Sequence, residues 1–380
     1  MRRRRHRGGL GVVLGLVALA LSVLLPVIGA ERTLATAAES PDAPRTDPTP
    51  AAPTPSASPP ASAEVPPPRR AEPEPTAADV LGLPDVLAAS AVASEVPADL
   101  DPPLDVAAEA LPQVYDDDCF TGFDDAAPAA CVYGTTKDPA RSVVLFGDSH
   151  AAHWFPPLHE IADDAGWRLE PLVKASCPSL DLPVLRDGAV YDSCHAWQDA
   201  SLERIAELQP DVIVLSNVRD YEPADADGQP LDADRADFHA AALARTIGRL
   251  RTLVPGVDVA VVGTTPHAAQ DAVECLTANP TDVTACAGAR RDLLDTELLA
   301  AQRDVALAAG ATFVDASAWM CHESTCPPVV GERLVYSVGS HLSPPFTRWL
   351  RPVFEEALLR PPALPGVGGP LQSVDSQPWR

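Results

Sequence analysis

Ser142-Val143-Val144-Leu145-Phe146-Gly147-Asp148-Ser149-His150 runs an apolar segment into a turn, and a helical pattern over 151–165 follows at once. An apolar run of this length, closed by a turn and a helix, reads as a strand buried on both faces. The same rhythm repeats along the chain. Strands are expected at 142–147, 168–173, 211–216, 257–263 and 311–314, with helices at 151–165, 195–208, 236–253 and 289–309. Strand, helix, strand in this order predicts a parallel central sheet covered on both faces, a three-layer, flavodoxin-like α/β/α domain.

In such sheets, sites form beyond the carboxyl ends of the strands. Ser149, Lys174, Asn217 and Thr264 all fall there. A serine at a strand-to-helix turn has its hydroxyl lifted to the sheet edge, a geometry that suits an acyl-transfer nucleophile. The competing reading is a plain helix cap, with Asp148 or Ser149 accepting from the first turn. A nucleophilic serine needs a base, and His341, just before a helix expected at 345–358, is the candidate. The Ser149 N–H and the Asn217 side chain are candidate oxyanion donors, against a turn-forming role for Asn217. Asp148 is read as structural, holding the turn through its own hydrogen bonds. His150 is a candidate ligand contact. Lys174, one of two lysines with Lys137, reads as a snorkelling surface group or a substrate support. His153, His159, His195, His267 and His322 share no metal-ligand spacing, so neither a metal nor a cofactor is expected.

Composition places the domain. Met1-Arg2-Arg3-Arg4-Arg5-His6-Arg7 precedes an apolar run from Leu10 to Ala30, long enough to span a bilayer with its basic flank in the cytoplasm. Residues 1–37 are thus a signal anchor, or a secretory signal cut near Ala30 or Ala37. Either way the rest is extracytoplasmic. Residues 38–76 form a Pro/Ala-rich linker: 13 prolines fall between Pro41 and Pro75. Such a segment buries no core and, fully extended, reaches roughly 100 Å. Short helices are expected around Leu81–Leu87 and over 104–111, as an extension to a domain over 77–358; 359–380, rich in Pro and Gly, reads as a flexible tail. A net charge of −25 without a basic stripe excludes nucleic acid as a partner. Eight cysteines (Cys119, Cys131, Cys177, Cys194, Cys275, Cys286, Cys321 and Cys326) in an exported chain suggest disulfides, with 105 possible pairings. Cys321-x4-Cys326 fits zinc spacing loosely, but no second pair accompanies it.

Gly147-Asp148-Ser149-His150 resembles the first block of the SGNH (GDSL-like) hydrolases. Lys174-Ala175-Ser176-Cys177-Pro178, Cys194-His195-Ala196-Trp197, Leu215-Ser216-Asn217 and the run from Cys326-Pro327 through Tyr336 to His341-Leu342-Ser343 resemble, in order, further segments of that superfamily. The similarity, over Pro97 to Leu358, is to the extracytoplasmic SGNH domain fused to or partnered with membrane acyltransferases of the acyltransferase-3 type. With the grouping of the cysteines into close neighbours, it implies the pairs Cys119–Cys131, Cys177–Cys194, Cys275–Cys286 and Cys321–Cys326. It implies a serine esterase or O-acyltransferase acting on O-acyl, foremost O-acetyl, groups of envelope polysaccharide or peptidoglycan. The chain shows one apolar segment and no multi-helix acyltransferase region, so a separate membrane partner or free esterase activity is expected. Two departures stand out. The family's Asp-x-x-His-Leu-Ser has Val338 at the aspartate position, so a backbone carbonyl or another aspartate, such as Asp315, would have to orient His341. The second-block glycine is replaced around Ser176. The missing aspartate leaves a second reading open: a catalytically weak, glycan-binding module.

Overall fold

The computed structural model describes residues 76–225 and 227–360. The expected signal or anchor at 1–37, the linker at 38–76 apart from Thr76, and the tail beyond Arg360 lie outside the described residues. Among the described residues no helix is long and apolar enough to cross a membrane.

Seven strands form one sheet: β1 (Phe120–Thr121), β2 (Tyr133–Gly134), β3 (Ser142–Gly147), β4 (Arg168–Lys174), β5 (Val212–Ser216), β6 (Asp258–Val262) and β7 (Thr312–Val314). The order is β1-β4-β3-β5-β6-β7, parallel throughout, with β2 antiparallel on the outer edge of β4. Counting from β3, the five main strands lie in the order second, first, third, fourth, fifth. That is the flavodoxin-like order, whose crevice opens between the first and third strands. Ser149 follows β3 and Asn217 follows β5, so both stand at that crevice.

Side chains of β3 alternate between two cores, as the strand period of two requires. Val143 and Leu145 pack into one core and Val144 and Phe146 into the other. The twelve helices are α1 (Ala77–Leu81), α2 (Leu83–Ser90), α3 (Gln113–Asp116), α4 (Ser149–Ala152), α5 (Phe155–Ala165), α6 (Asp192–Leu208), α7 (Arg235–Leu253), α8 (Ala272–Ala278), α9 (Arg290–Leu293), α10 (Thr296–Ala308), α11 (Pro344–Trp349) and α12 (Arg351–Leu359), counted among the described residues. Leu158 and Ile161 of α5, Phe346 of α11 and Phe354 of α12 cover the first face. Trp197 and Ile205 of α6, Leu243 and Ile247 of α7 and Ala306 of α10 cover the second. The three layers expected from the alternation are present.

Prolines explain where expected helices divide. The helix over 151–165 breaks between α4 and α5, because Pro156 and Pro157 have no N–H to give to the preceding turn and instead open α5. The helix over 345–358 divides likewise at Leu350, with Pro352 in the first turn of α12. The helix over 289–309 divides where Asp295 caps α10 by accepting from Leu298 N at 3.0 Å. In the extension, Gly82, at φ 60, ends α1 and starts α2. Over 104–111 only a single 3-10 turn forms, Ala107–Glu109, where a helix was expected.

Four disulfides join Cys119 to Cys131, Cys177 to Cys194, Cys275 to Cys286 and Cys321 to Cys326. Cys119–Cys131 ties the start of β1 to the segment before β2. Cys177–Cys194 ties the loop after β4 to the first turn of α6, beside the crevice.

Candidate active site

The turn that carries Ser149 is held from below by one carboxylate. Gly147 closes β3 against β5, and a Cβ there would collide with the Ser216 carbonyl, so only glycine allows this approach. Asp148 follows as the cap of α4: its Oδ1 accepts from His150 N at 2.7 Å. Its Oδ2 accepts from Val218 N at 2.9 Å and from the Tyr221 hydroxyl. Asp148 is fully buried, and burial pushes its carboxyl up to about 6 although its hydrogen-bond donors favour the ionised form. Asp148 therefore fixes the turn, and Ser149 stands at the first position of α4 with its hydroxyl free to face the cleft.

His341 reaches Ser149 from a tight hairpin. Tyr336–Val338 pairs antiparallel with His341–Leu342, and Val338 stands opposite His341. The two-residue connection begins with Gly339 at φ 54, a positive φ that hairpin turns of this length require. The hairpin turns the imidazole so that Nε2 lies 2.8 Å from Ser149 Oγ and Nδ1 lies 3.1 Å from the Val338 carbonyl. A carbonyl only accepts, so Nδ1 carries the proton and Nε2 accepts from the serine hydroxyl. Burial holds His341 below its ordinary pKa; the Val338 bond opposes this and nearby His267 adds to it. The neutral imidazole needed by a general base is thus favoured.

Three more histidines surround Ser149 and His341. The His150 ring lies 4.9 Å from that of His153, 5.2 Å from that of His341 and 5.4 Å from that of His267, centroid to centroid. His150 Nε2 meets Ser340 Oγ at 3.1 Å, so this side chain supports the His341 turn from within the protein. Burial, with the charges of its neighbours, holds His150 well below its ordinary pKa, and the same holds for His153. His267 Nδ1 pairs with Asp220 Oδ2 at 3.2 Å, and that bond, with Arg219 and Arg235 nearby, brings Asp220 down to about 2. Among the described residues no three His, Cys, Asp or Glu side chains converge as a metal ion would need.

Other sequence readings are corrected here. Lys174 is not a snorkelling surface group: it is fully buried, and its ammonium donates to the carbonyls of Gly122, Phe123 and Asp125, the last two at 3.0 and 2.7 Å. It clamps the segment after β1 and stands as a support. Asp315 does not reach His341; it caps the turn Ala316–Trp319, accepting from Ser317 N at 3.0 Å and Ser317 Oγ at 2.6 Å. Asn217 stands at the crevice, where its Oδ1 accepts from Ser179 N at 2.8 Å and its Nδ2 donates to Ser179 Oγ at 2.9 Å, leaving one amide N–H unspent. Ser176 adopts φ 48, the left-handed conformation a glycine would take there, and is exposed at the end of β4.

Three features escaped sequence reasoning. Tyr221 sits in an irregular loop with no local signal; a backbone carbonyl is one of the two expected partners of His341, but nothing in the sequence marks Val338 as its source. The third is the N-terminal extension, which walls the site: a cleft of 320 Å³ is lined by Leu111, Pro112 and Tyr115 on one side and by Ser149, His153, Val338, His341 and Leu342 on the other.

Over residues 117–356 the sequence matches the family model described as SGNH domain (fused to AT3 domains). None of the curated proteins matches it. Among solved structures, the periplasmic domain of a lipopolysaccharide acetyltransferase from Salmonella ser. Paratyphi A is similar at 16% identity and a TM-score of 0.46, over 74% of this chain and 96% of that one. A lipase/acylhydrolase from Enterococcus faecalis is similar at 14% identity and a TM-score of 0.32, over 57% and 94% respectively. A peptidoglycan O-acetylesterase gives 15% identity and a TM-score of 0.33, over 52% and 47%.

Proposed function

The chain belongs to the SGNH domain family whose members are fused to AT3 domains, and on that premise we propose that it is an extracytoplasmic serine esterase or O-acyltransferase working through a Ser149–His341 dyad. Its substrates are O-acyl groups, acetyl foremost, on envelope polysaccharide or peptidoglycan. A membrane acyltransferase is the partner that would present the acyl group. The single observation that carries this reading is His341 bridging Ser149 Oγ at 2.8 Å and the Val338 carbonyl at 3.1 Å.

The chemistry follows from that bridge. Ser149 Oγ attacks the ester carbonyl carbon while His341 Nε2 takes the hydroxyl proton. The imidazolium that forms keeps its Nδ1–H on the Val338 carbonyl. The oxyanion is met by the Ser149 N–H and the unspent Asn217 N–H. Collapse expels the alkoxide, which leaves with the proton from Nε2. His341 then deprotonates the next nucleophile, water in hydrolysis or a sugar hydroxyl in transfer, as it attacks the acyl carbonyl; collapse breaks the Ser149 Oγ–acyl bond, and Nε2 returns the proton to Ser149 Oγ.

Hydrolysis of p-nitrophenyl acetate by the purified chain tests this. Ser149→Ala and His341→Ala should each lower kcat by about 10³-fold or more, as removal of a nucleophile or its base does elsewhere. Equal rates for wild type and Ser149→Ala would instead favour the binding-module reading. Addition of acceptor glycan separates the two activities, since a transferase acylates sugar faster than water.

A further inference from the structure

The two walls of the cleft come from different parts of the chain. Val338 and Leu342 belong to the hairpin that carries His341. Leu111, Pro112 and Tyr115 lie N-terminal to residues 117–356, the stretch that matches the family model. This second wall is fixed in place. Val114 is fully buried in the main core, and Tyr115 stacks on Phe120 with ring centroids 4.1 Å apart. Upstream, Asp101 N donates to the Glu332 carbonyl at 2.8 Å and Leu334 N to the Asp101 carbonyl at 2.9 Å, which ties the extension to the segment leading into the His341 hairpin.

We propose that the extension and the hairpin together form an acyl-chain subsite, which replaces acetyl, the foremost acyl group of the reading above, with longer straight chains on the Ser149 ester. The inference rests on Ser149 being the nucleophile. None of the lining side chains is a carboxylate, lysine or arginine; Ala108, Leu111, Pro112, Val338 and Leu342 supply apolar cover, and Tyr115, Ser149, His153, Ser337 and His341 carry polar atoms. Of the apolar residues, Leu111 and Val338 stand 39% and 41% exposed. A volume of 320 Å³ falls within the range of about 300–1,000 Å³ that holds ligands far larger than a two-carbon acyl group. A sugar ring calls for several converging hydrogen-bond partners; besides Ser149 and His341 the lining offers Tyr115, His153 and Ser337, and the last two are buried. A hydrocarbon chain calls for the apolar cover these walls provide, and it would shield Leu111 and Val338 from water.

The test is a series of p-nitrophenyl esters from acetate to decanoate, hydrolysed by the full chain, with Ser149→Ala as control. kcat/KM should rise about two- to fourfold per added methylene until the cleft is filled. Leu111→Arg and Val338→Ser change exposed positions, so both proteins should fold, as circular dichroism would verify. Each should lower the hexanoate-to-acetate ratio of kcat/KM by about tenfold, since the chain loses its apolar cover. Ser149-dependent hydrolysis that is fastest on acetate overturns the subsite and leaves the dyad standing. A chain-length preference that neither variant moves also overturns it, because the preference then arises elsewhere. Absence of Ser149-dependent hydrolysis of every ester overturns the dyad and the subsite together.

Discussion

The His341 imidazole takes its orientation from the Val338 carbonyl, 3.1 Å from Nδ1, and needs no carboxylate to do so. The residue that breaks the Asp-x-x-His pattern thus supplies the missing contact through its main chain. A neutral carbonyl fixes the tautomer as an aspartate does, but it stabilises the imidazolium less.

The pH profile should show that difference. As the proposed base, His341 would act only when neutral, so kcat/KM should fall as pH drops through its pKa. Burial places that pKa below the ordinary 6.5, with His267 adding to the shift, so the acid limb should lie below 6.5. Val338→Asp puts a carboxylate at the hairpin position opposite His341; an opposite charge favours the imidazolium, and the limb should move up. An acid midpoint above 6.5 in the unsubstituted protein would contradict the buried-base account.

Tyr221→Phe should destabilise the protein more at high pH than at low. Asp148 titrates at about 6 in the folded chain and at about 3.9 when unfolded. The folded state therefore binds the proton more tightly, and stability falls as pH rises between those values. The Tyr221 hydroxyl favours the ionised carboxylate, so its loss raises the folded pKa further and adds a penalty only where Asp148 would be charged. Thermal melts should show a loss of about 1–2 kcal/mol at about pH 8 and much less at about pH 4. Equal losses at both would mean that the hydroxyl does not act through Asp148.

Lys174→Met should cost stability without touching the dyad. Three carbonyls share the three ammonium protons, and methionine, of similar shape, leaves all three without a donor. With partial relaxation of the 122–125 segment, a loss of about 2–4 kcal/mol is expected in denaturant unfolding. A change within about 0.5 kcal/mol would show that water replaces the ammonium there.

How far the sequence reads depends on whether a signal is local. β3 and the turn at Gly147-Asp148-Ser149 were legible because an apolar run of fixed length meets a glycine that the close strand approach requires. The main strands and the positions of Ser149, Asn217 and His341 at one edge follow from the same alternation. Lys174 was misread because its partners are carbonyls some 50 residues away. Asp315 was a reasonable substitute in sequence and a cap in space. β1 and β2 are two residues long and exist only through pairing with β4, so no periodicity announces them. The cleft wall from the extension was invisible for the same reason: Leu111 acquires its role only when Val114 and Tyr115 dock on the domain.

Asn217 offers the sharpest separation of a catalytic from a structural role. Its carbonyl holds Ser179 N and its amide gives one proton to Ser179 Oγ. Asn217→Asp keeps the acceptor for Ser179 N and nearly the same shape, but it removes the unspent N–H and places a negative charge where an oxyanion would form. If that N–H stabilises the oxyanion, kcat should fall by about 10²–10³-fold with little change in KM, as loss of one such donor does. Ser179→Ala removes the hydroxyl contact, keeps the Ser179 N–H on Oδ1 and leaves the donor, so it should lower kcat by only about three- to tenfold. In the double variant the anchor no longer matters, because the group it positions is gone; the effects should fall short of additive. Losses of equal size from both single variants, matched by equal drops in thermal stability, would make Asn217 a loop anchor and leave the Ser149 N–H to meet the oxyanion without it.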